Sequence, residues 1–408
     1  DKGAQRPIIL SHRSESFRAS ANLCRFNITR FFDLIALLDL AAQHTPLRGA
    51  LDAAVARVLD AGAFIQGPDV AAFAAELGQY LGGTHVVPCA NGTDALTLAF
   101  LALGLRPGDE VIVPAFTYVA TAEAAALLGL RVVLTDVRPD TFCLDPAAVA
   151  AVATARTRAV VPVHLFGQCA DLGALLPLAD RHGWAVVEDT AQALGATYVL
   201  PSGATVFAGA AGTVGTTSFF PSKNLGALGD GGALLTSDAA LAARLRQAAN
   251  HGQPAGVKYR HESIGLNSRL DTLQAALLRV KLPHLDGWTA RRQTLAARYD
   301  AALAAVPGLR TPARDPRSTH VFHQYVIALP DEATREGLRT HLAGRGIASA
   351  VYYPLPLYAQ PAYPGLGQPG QFPVSEALCR TVLALPIHPT LADVDVDAVC
   401  AAVADFCG

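Results

Sequence analysis

The chain has 408 residues, of which 51% are hydrophobic and only 16% are charged, and its formal net charge is −2. This length and apolar content suffice for a large core and predict two domains. Because no block of Lys or Arg stands out, nucleic acid and anionic membrane surfaces are excluded as expected partners. No long apolar run is free of charges and of Gly or Pro, so we expect no transmembrane helix.

The N-terminus and the cysteines indicate the compartment. Residues 1–34 contain no long apolar segment, so we expect no secretory signal, and we predict a poorly ordered extension there. The seven cysteines are scattered and form no C-x-x-C pair. This pattern argues against zinc and against a disulfide framework, and it fits reduced thiols. We therefore expect a cytoplasmic protein without a metal site.

Short apolar runs alternate with helical segments from about residue 84 onward, after an extended piece and a helix within residues 35–59. Strands that alternate with helices form βαβ units, which predicts a mostly parallel sheet covered on both faces. The predicted strands are 84–89, 110–114, 131–136, 159–164, 184–188, 216–220 and 232–236, and the predicted helices are 95–105, 121–128, 146–153 and 172–182.

The pattern changes after residue 236. Residues 271–300 predict one long helix that connects two domains. Strands at 322–329 and 347–351, with a helix at 332–344 between them, predict a smaller α+β domain. Residues 353–372 are rich in Pro, Gly and Tyr and predict an ordered, irregular loop. We therefore place a large domain at 35–285 and a small C-terminal domain at 286–408.

Lys223 lies in the run Ser218-Phe-Phe-Pro-Ser-Lys-Asn-Leu-Gly226, between an apolar strand and a glycine-rich loop. Glycines let the backbone approach a bulky ligand, and partial burial would lower the pKa of the amine and favour imine chemistry. Asp189 closes the strand at 184–188, where ligands bind in parallel sheets, although Asp is also a common helix cap. A Schiff-base Lys and an Asp that pairs with a pyridinium nitrogen are the groups that pyridoxal phosphate (PLP) requires.

Further residues fit a bound phosphate and a planar ring. The turn Asn91-Gly-Thr-Asp-Ala95 opens a helix after a strand, so its N–H groups and the helix dipole suit a phosphate, with hydroxyls from Thr93 and Ser218. Tyr118 follows the strand at 110–114 and could stack on a ring or pack in the core. Arg269, in a polar turn, suits a phosphate or carboxylate.

These motifs together resemble the DegT/StrS-type sugar aminotransferases, across residues 35–406. The resemblance implies a fold-type-I PLP transferase with a mostly parallel seven-stranded sheet and a smaller α+β C-terminal domain. The matching stretches are 90–96, 113–121, 162–168, 187–192, 218–232, 267–276, 353–357 and 385–389, of which the Lys223 loop and N-S-R-L-D-T-L-Q-A-A are the most specific.

The resemblance also implies roles at the cofactor. Lys223 would hold PLP as a Schiff base and move a proton, with pyridoxamine phosphate as the second form of the cofactor. Asp189 would keep the ring nitrogen protonated. Tyr118 would stack on the ring, and Gln192 would contact its phenolic oxygen. The implied phosphate contacts are Gly92, Thr93, the Asp94 N–H and Ser218.

The resemblance implies an active homodimer in which Asn267 reaches the phosphate from the other subunit. Arg269, Tyr352 and Tyr353 would contact a nucleotide-linked keto sugar, and L-glutamate would be the amino donor. The pattern is most similar to members that act on 3-keto sugars. Tyr352 and Tyr358 stand where His is common in the family, and residues 200–213 look like an insertion. The identity of the sugar is therefore not predicted.

Two functions remain as alternatives to a sugar aminotransferase. Pyridoxamine-dependent sugar dehydratases share the fold but carry His at the position of Lys223, so the Lys argues for transamination. A regulatory or binding protein that keeps the fold without turnover is the second alternative, because fold alone does not determine function.

Overall fold

A seven-stranded sheet, built from residues 85–236, lies at the centre of the fold. The computed structural model describes residues 34–408, so the predicted N-terminal extension lies outside the described residues except for Leu34. The strands of this part of the chain are β1 (His85–Cys89), β2 (Glu110–Pro114), β3 (Arg131–Thr135), β4 (Thr157–Val160), β5 (Ala185–Asp189), a separate hairpin of β6 (Thr197–Val199) and β7 (Thr205–Phe207), then β8 (Val214–Ser218) and β9 (Gly232–Thr236).

The strand order of the sheet is β1-β9-β8-β5-β4-β2-β3. Strand β9 is antiparallel to β1 and β8, and the other neighbouring pairs are parallel, which confirms the predicted mostly parallel sheet. Strands β1, β2, β5 and β8 therefore run in one direction. Their carboxyl ends meet at one edge, where ligands bind in open α/β sheets.

Helices cover both faces of the sheet. Along β2, Val111 and Val113 pack in one buried cluster and Ile112 packs in another, because successive strand residues point to opposite faces. None of the helices within residues 34–408 is long and apolar enough to cross a membrane. They are α1 (Leu40–His44), α2 (Arg48–Ala61), α3 (Pro68–Tyr80), α4 (Gly92–Ala102), α5 (Ala120–Leu127), α6 (Pro146–Val152), α7 (Leu172–His182), α8 (Ala239–Ala249), α9 (Thr272–Lys281), α10 (Leu285–Leu303), α11 (Glu332–Gly344), α12 (Pro373–Thr381) and α13 (Asp393–Cys407).

The C-terminal residues build a small antiparallel sheet of β10 (Tyr325–Ala328) and β11 (Val382–Leu385), packed against α10, α11 and α13. The predicted strand at 347–351 is wrong, because Ile347 and Ala350 make only single bridges, to Ile35 and Ala384. Residues 382–385 form a short apolar run, which periodicity alone does not distinguish from the end of the preceding helix. The domain boundary at 285 stays a prediction.

The predicted long helix at 271–300 is also wrong in one respect, because it is two helices. A 3₁₀ turn at Leu282–His284 separates α9 from α10. Pro283 lies in this turn and has no N–H to continue the α-helical hydrogen bonds. Lys281 and the glycine-rich loop meet beside this break, since Lys281 Nζ donates to the carbonyl oxygen of Gly226.

Candidate active site

A cavity of about 700 Å³ lies at the carboxyl ends of β1, β2, β5 and β8. Each of these strands ends in a segment that lines it, so the sheet itself assembles the site. Ten of the twelve predicted site residues line this cavity: Gly92, Thr93, Asp94, Tyr118, Asp189, Gln192, Ser218, Lys223, Tyr352 and Tyr353.

Asp189 is the last residue of β5, one position inside the strand rather than after it as predicted. Its Oδ1 accepts a hydrogen bond from Ala191 N at 3.1 Å, and its Oδ2 accepts one from Thr121 Oγ1 at 3.2 Å. Burial raises the pKa of this carboxyl, and the Ala191 N–H, the Lys223 charge and the Thr121 hydroxyl only partly offset the rise. The site therefore favours a cationic partner for Asp189.

Lys223 lies in the loop between β8 and β9. Its backbone N–H donates to Phe220 O at 2.8 Å, which folds the loop into a tight turn. Burial lowers the pKa of the amine, and attraction to Asp189 opposes this only in part. A lysine with a lowered pKa carries more of the neutral amine at a given pH, and the neutral amine is the form that attacks a carbonyl carbon.

The N-terminus of α4 forms one end of the cavity. Helix α4 begins at Gly92, three residues before the predicted start, because Asn91 Oδ1 accepts from Asp94 N at 2.8 Å and caps it. The Asp94 amide predicted to contact phosphate is therefore used by the cap in this structure. Among the described residues, no acceptor pairs with the N–H of Gly92 or Thr93. These two groups remain free for an anion.

Ser218 lies directly against this helix end. A Cβ added at Gly92 would come 2.8 Å from Ser218 Cβ, so only glycine lets the helix start approach β8 this closely. Ser218 Oγ accepts from Phe220 N at 3.2 Å, which leaves its own hydroxyl hydrogen free to donate. Free donors from two neighbouring elements therefore converge at one end of the cavity.

Gln192 connects the cavity floor to the C-terminal part of the chain. Its Oε1 accepts from Phe166 N at 2.7 Å, and its Nε2 donates to Tyr353 Oη at 3.1 Å. An amide nitrogen has two hydrogens, so one remains for a ligand. Tyr118 is 57% exposed, and its ring lies 6.1 Å from that of Tyr353. Tyr118 is therefore not a core residue, which removes the alternative reading of its aromatic ring.

Two predicted residues lie elsewhere. Asn267 is exposed and pairs with Asn250 through a single β-bridge. Arg269 lines a separate groove of about 1460 Å³, which also contacts α3 and α8. The structure thus leaves both outside the cavity of their own chain.

The sequence motifs did not indicate several residues in and beside this cavity. Thr121 does not line the cavity but holds Asp189, and a signal for it existed, since it lies in the first turn of α5, three residues after Tyr118. His323 and Gln324 line the cavity, and burial together with the Lys223 and Arg292 charges lowers the pKa of His323 well below its usual value. Nothing in the sequence near residue 323 indicated a site.

Solved structures establish the class. The crystal structure of DesV from S. venezuelae matches with a TM-score of 0.87 and 45% identity, over 92% of this chain and 98% of that one. With the Lys and the buried Asp at the strand ends, this defines a fold-type-I, PLP-dependent aminotransferase.

The family follows from the sequence itself. The model of the DegT/DnrJ/EryC1/StrS aminotransferase family matches residues 47–404, and the chain belongs to this family. It is 46% identical over 358 residues to the dTDP-3-amino-3,4,6-trideoxy-alpha-D-glucose transaminase of Streptomyces venezuelae, covering 88% of this chain and 92% of that one. It is 43% identical over 370 residues to the UDP-2-acetamido-2-deoxy-3-oxo-D-glucuronate aminotransferase of Pseudomonas aeruginosa, covering 91% and 99%.

The residues of the cavity fit PLP. Asp189 is a buried carboxylate with no Arg partner among residues 34–408, and Lys223 is an amine of lowered pKa in the same cavity. The free N–H groups of Gly92 and Thr93 suit the phosphate. When bound, PLP supplies an electron sink for the bonds to the substrate carbon. The chain would contribute the covalent anchor, the counter-charge and the phosphate donors.

Proposed function

We propose that this aminotransferase moves the amino group of L-glutamate onto a keto group of a UDP- or dTDP-linked hexose, in the synthesis of a surface polysaccharide or a deoxysugar. The observation that carries the proposal is the shared cavity of Lys223 and Asp189 at the carboxyl ends of parallel strands. The sugar class is supported by the names of the relatives, which act on dTDP- and UDP-linked sugars. The reaction would take place in the cytoplasm.

Each residue would have a defined task. Lys223 Nζ anchors the cofactor and carries the proton to and from the reacting carbon, and Asp189 holds the proton on the ring nitrogen. Gln192 donates its remaining amide hydrogen to the ring oxygen, and Tyr118 stacks on the ring face. The phosphate is bound by Gly92, Thr93 and Ser218, and by the Asp94 N–H, which would exchange its bond to Asn91 Oδ1 for one to the phosphate. Glutamate and the sugar would use this cavity in turn, which gives ping-pong kinetics.

The substrate would extend from the cavity mouth toward a second copy of the chain. Tyr352 and Tyr353 line the cavity and would contact the sugar. Asn267 and Arg269 lie outside it, so we assign them to the cavity of the partner in a homodimer, where Asn267 meets the phosphate and Arg269 the sugar nucleotide. An exposed Asn267 is consistent with such a contact.

The absorption spectrum tests the chemistry. With PLP, the protein should show an absorption band at about 415 nm that moves to about 330 nm when glutamate is added, as for a cofactor that becomes aminated. Lys223→Ala should abolish the band and turnover, whereas Lys258→Ala, at an exposed lysine, should keep the band. A wild-type protein without any band would refute the enzyme and favour a binding or regulatory role.

A mixing experiment tests the shared site. Lys223→Ala and Asn267→Asp each inactivate the homodimer, the latter because a carboxylate repels the phosphate. In a mixed dimer, one site carries both changes and the other carries neither, so random mixing should restore about one quarter of wild-type activity. If each site uses residues of a single chain, mixing restores nothing and the cross-subunit assignment is wrong.

A further inference from the structure

We propose that His164 and Glu188, a buried pair outside the cavity, are positioning residues that fix Asp189 relative to Lys223. This inference rests on the proposed role of Asp189 at the cofactor ring. Glu188 precedes Asp189 on β5, so the two carboxylates point to opposite faces of the sheet. Glu188 and His164 are both 0% exposed, and neither lines the cavity.

Among residues 34–408, the buried carboxylate of Glu188 is held by N–H groups alone. Its Oε2 accepts from His164 Nε2 at 2.8 Å and from Gly209 N at 2.9 Å, and its Oε1 accepts from Ala211 N at 2.9 Å and Gly212 N at 2.6 Å. Burial by itself would raise the pKa of this carboxyl, but the hydrogen bonds from His164, Gly212 and Gly209 outweigh it and lower the pKa. Glu188 is therefore an ionised group in the core.

The tautomer of His164 follows from its partners. His164 Nδ1 accepts from Ala170 N at 3.0 Å, so the ring hydrogen is on Nε2 and is donated to Glu188. The backbone of the same residue contacts the site, because His164 N donates to Asp189 O at 3.0 Å. His164 thus joins the Glu188 side chain to the Asp189 main chain.

Glu188 also fixes the strand on the other side of Asp189. The turn 209–212, which it binds, leads from the β6–β7 hairpin into β8, and a Cβ on Gly215 of β8 would overlap Gly209 O. The far end of β8 carries Ser218 and the Lys223 loop. One carboxylate therefore sets the spacing of β5 and β8, and through it the relation of Asp189 to Lys223.

The consequence for chemistry is electrostatic. With PLP bound, Asp189 would keep the ring nitrogen protonated, and this positive charge near Lys223 Nζ would lower the pH at which Nζ loses its proton. If Asp189 is displaced, this effect is lost, and the midpoint of the pH dependence of the cofactor absorbance should rise. The variants below do not substitute the other titratable groups that line the cavity, which are Asp94, Tyr118, Asp230, His323, Tyr352 and Tyr353.

Three variants separate positioning from stability. Glu188→Gln places an amide NH₂ against N–H donors, and His164→Asn keeps an acceptor for Ala170 N but loses the donor to Glu188. Glu110→Gln is the matched control, because Glu110 is 1% exposed and bonded to Arg156 but begins β2, at the opposite edge of the sheet. Each protein is titrated with PLP and followed by the pH dependence of the cofactor absorbance and by thermal unfolding without cofactor.

We expect Glu188→Gln and His164→Asn to raise the absorbance midpoint by on the order of one pH unit and to weaken PLP binding about tenfold. Glu110→Gln should lower the unfolding temperature without moving the midpoint. If Glu188→Gln does not fold, His164→Asn decides. A lowered unfolding temperature with an unchanged midpoint in the folded variants would overturn the proposal. A wild-type protein without a cofactor band would instead refute the proposed function.

Discussion

Thr121 Oγ1 donates a hydrogen bond to Asp189 Oδ2 at 3.2 Å, and both side chains are buried. This hydroxyl lowers the pKa of a carboxyl that burial raises. Thr121→Val keeps the side-chain volume but removes the donor, so Asp189 should be less ionised and hold a pyridinium less strongly. A hydrogen bond to a charged group contributes about 1.5–3 kcal/mol, so we expect PLP to bind at least about tenfold more weakly.

Equilibrium titration with PLP measures this effect. Thr121→Ser is the control, because it retains the hydroxyl donor and removes only a methyl group, so it should bind PLP more tightly than Thr121→Val. Equal affinities for the Val and Ser variants would show that the Thr121 hydroxyl does not support the charge on Asp189.

The raised pKa of Asp189 also predicts how stability depends on pH. Because the folded value lies above the ordinary aspartate value, the folded protein keeps a proton over a pH range in which the unfolded chain has lost it. The stability of the cofactor-free protein should therefore fall as the pH rises through that range. Asp189→Asn removes the carboxyl, so at neutral pH it should unfold at a higher temperature than the wild type while losing transamination.

Thermal unfolding without cofactor, from pH 4 to pH 8, checks this expectation. The difference between Asp189→Asn and the wild type should be small at the acidic end and grow with pH. A difference that stays constant with pH would show that the buried carboxyl carries no linked proton.

Local sequence patterns were sufficient to predict the strand ends of the site. Lys223 and Asp189 each follow an apolar run at the end of a strand, and the structure brings both to one cavity. Tyr352 and Tyr353 were predicted only through the family resemblance, because nothing in a loop more than a hundred residues away indicates which strand end it covers. The same limit explains why His323 was missed.

Pairings over long sequence distances also limited the fold prediction. The elements of the central sheet alternate in sequence, so their type followed from periodicity. The second strand of the small domain was predicted at 347–351 rather than at 382–385, because the apolar run of β11 follows helix α12 without a turn. The division of α9 from α10 was visible in principle, since Pro283 interrupts the pattern.

Glycine in the Lys223 loop should be irreplaceable at one position. A Cβ on Gly226 would overlap the carbonyl oxygen of Pro221, which is backbone and cannot move aside without shifting the loop. We expect Gly226→Ala to destabilise the protein by about 1–3 kcal/mol and to reduce the Lys223-dependent absorbance band. Urea unfolding and the cofactor spectrum measure the two effects.

Gly287→Ala provides the comparison. Gly287 lies near the start of α10, is exposed and has open space around its Cα. Alanine there should stabilise the protein by about 0.5 kcal/mol, because it lowers the conformational entropy of the unfolded chain. If Gly226→Ala and Gly287→Ala changed the free energy of unfolding by similar amounts, the Lys223 loop would accommodate a Cβ at position 226, and the prediction would be wrong.

Lys281 is a buried cation that contacts the Lys223 loop. It is 1% exposed, and its Nζ donates to Gly226 O and contacts His44 Nε2 at 3.0 Å. Burial lowers the pKa of this amine to about 8. The folded protein therefore loses this proton near pH 8, whereas the unfolded chain keeps it until about pH 10.4, so stability contributed by this group rises across that interval.

The expected result is a pH-dependent difference between the wild type and Lys281→Met. At neutral pH, the variant loses the donor to Gly226 O but also the cost of burying a charge, so the two effects oppose each other. Between pH 8 and pH 10, the wild type should gain about 2–3 kcal/mol relative to the variant, as two units of linked titration require. Urea unfolding of the cofactor-free proteins at several pH values measures the gain, and parallel curves would show that Lys281 stays charged in the core and is stabilised there by Gly226 and His44.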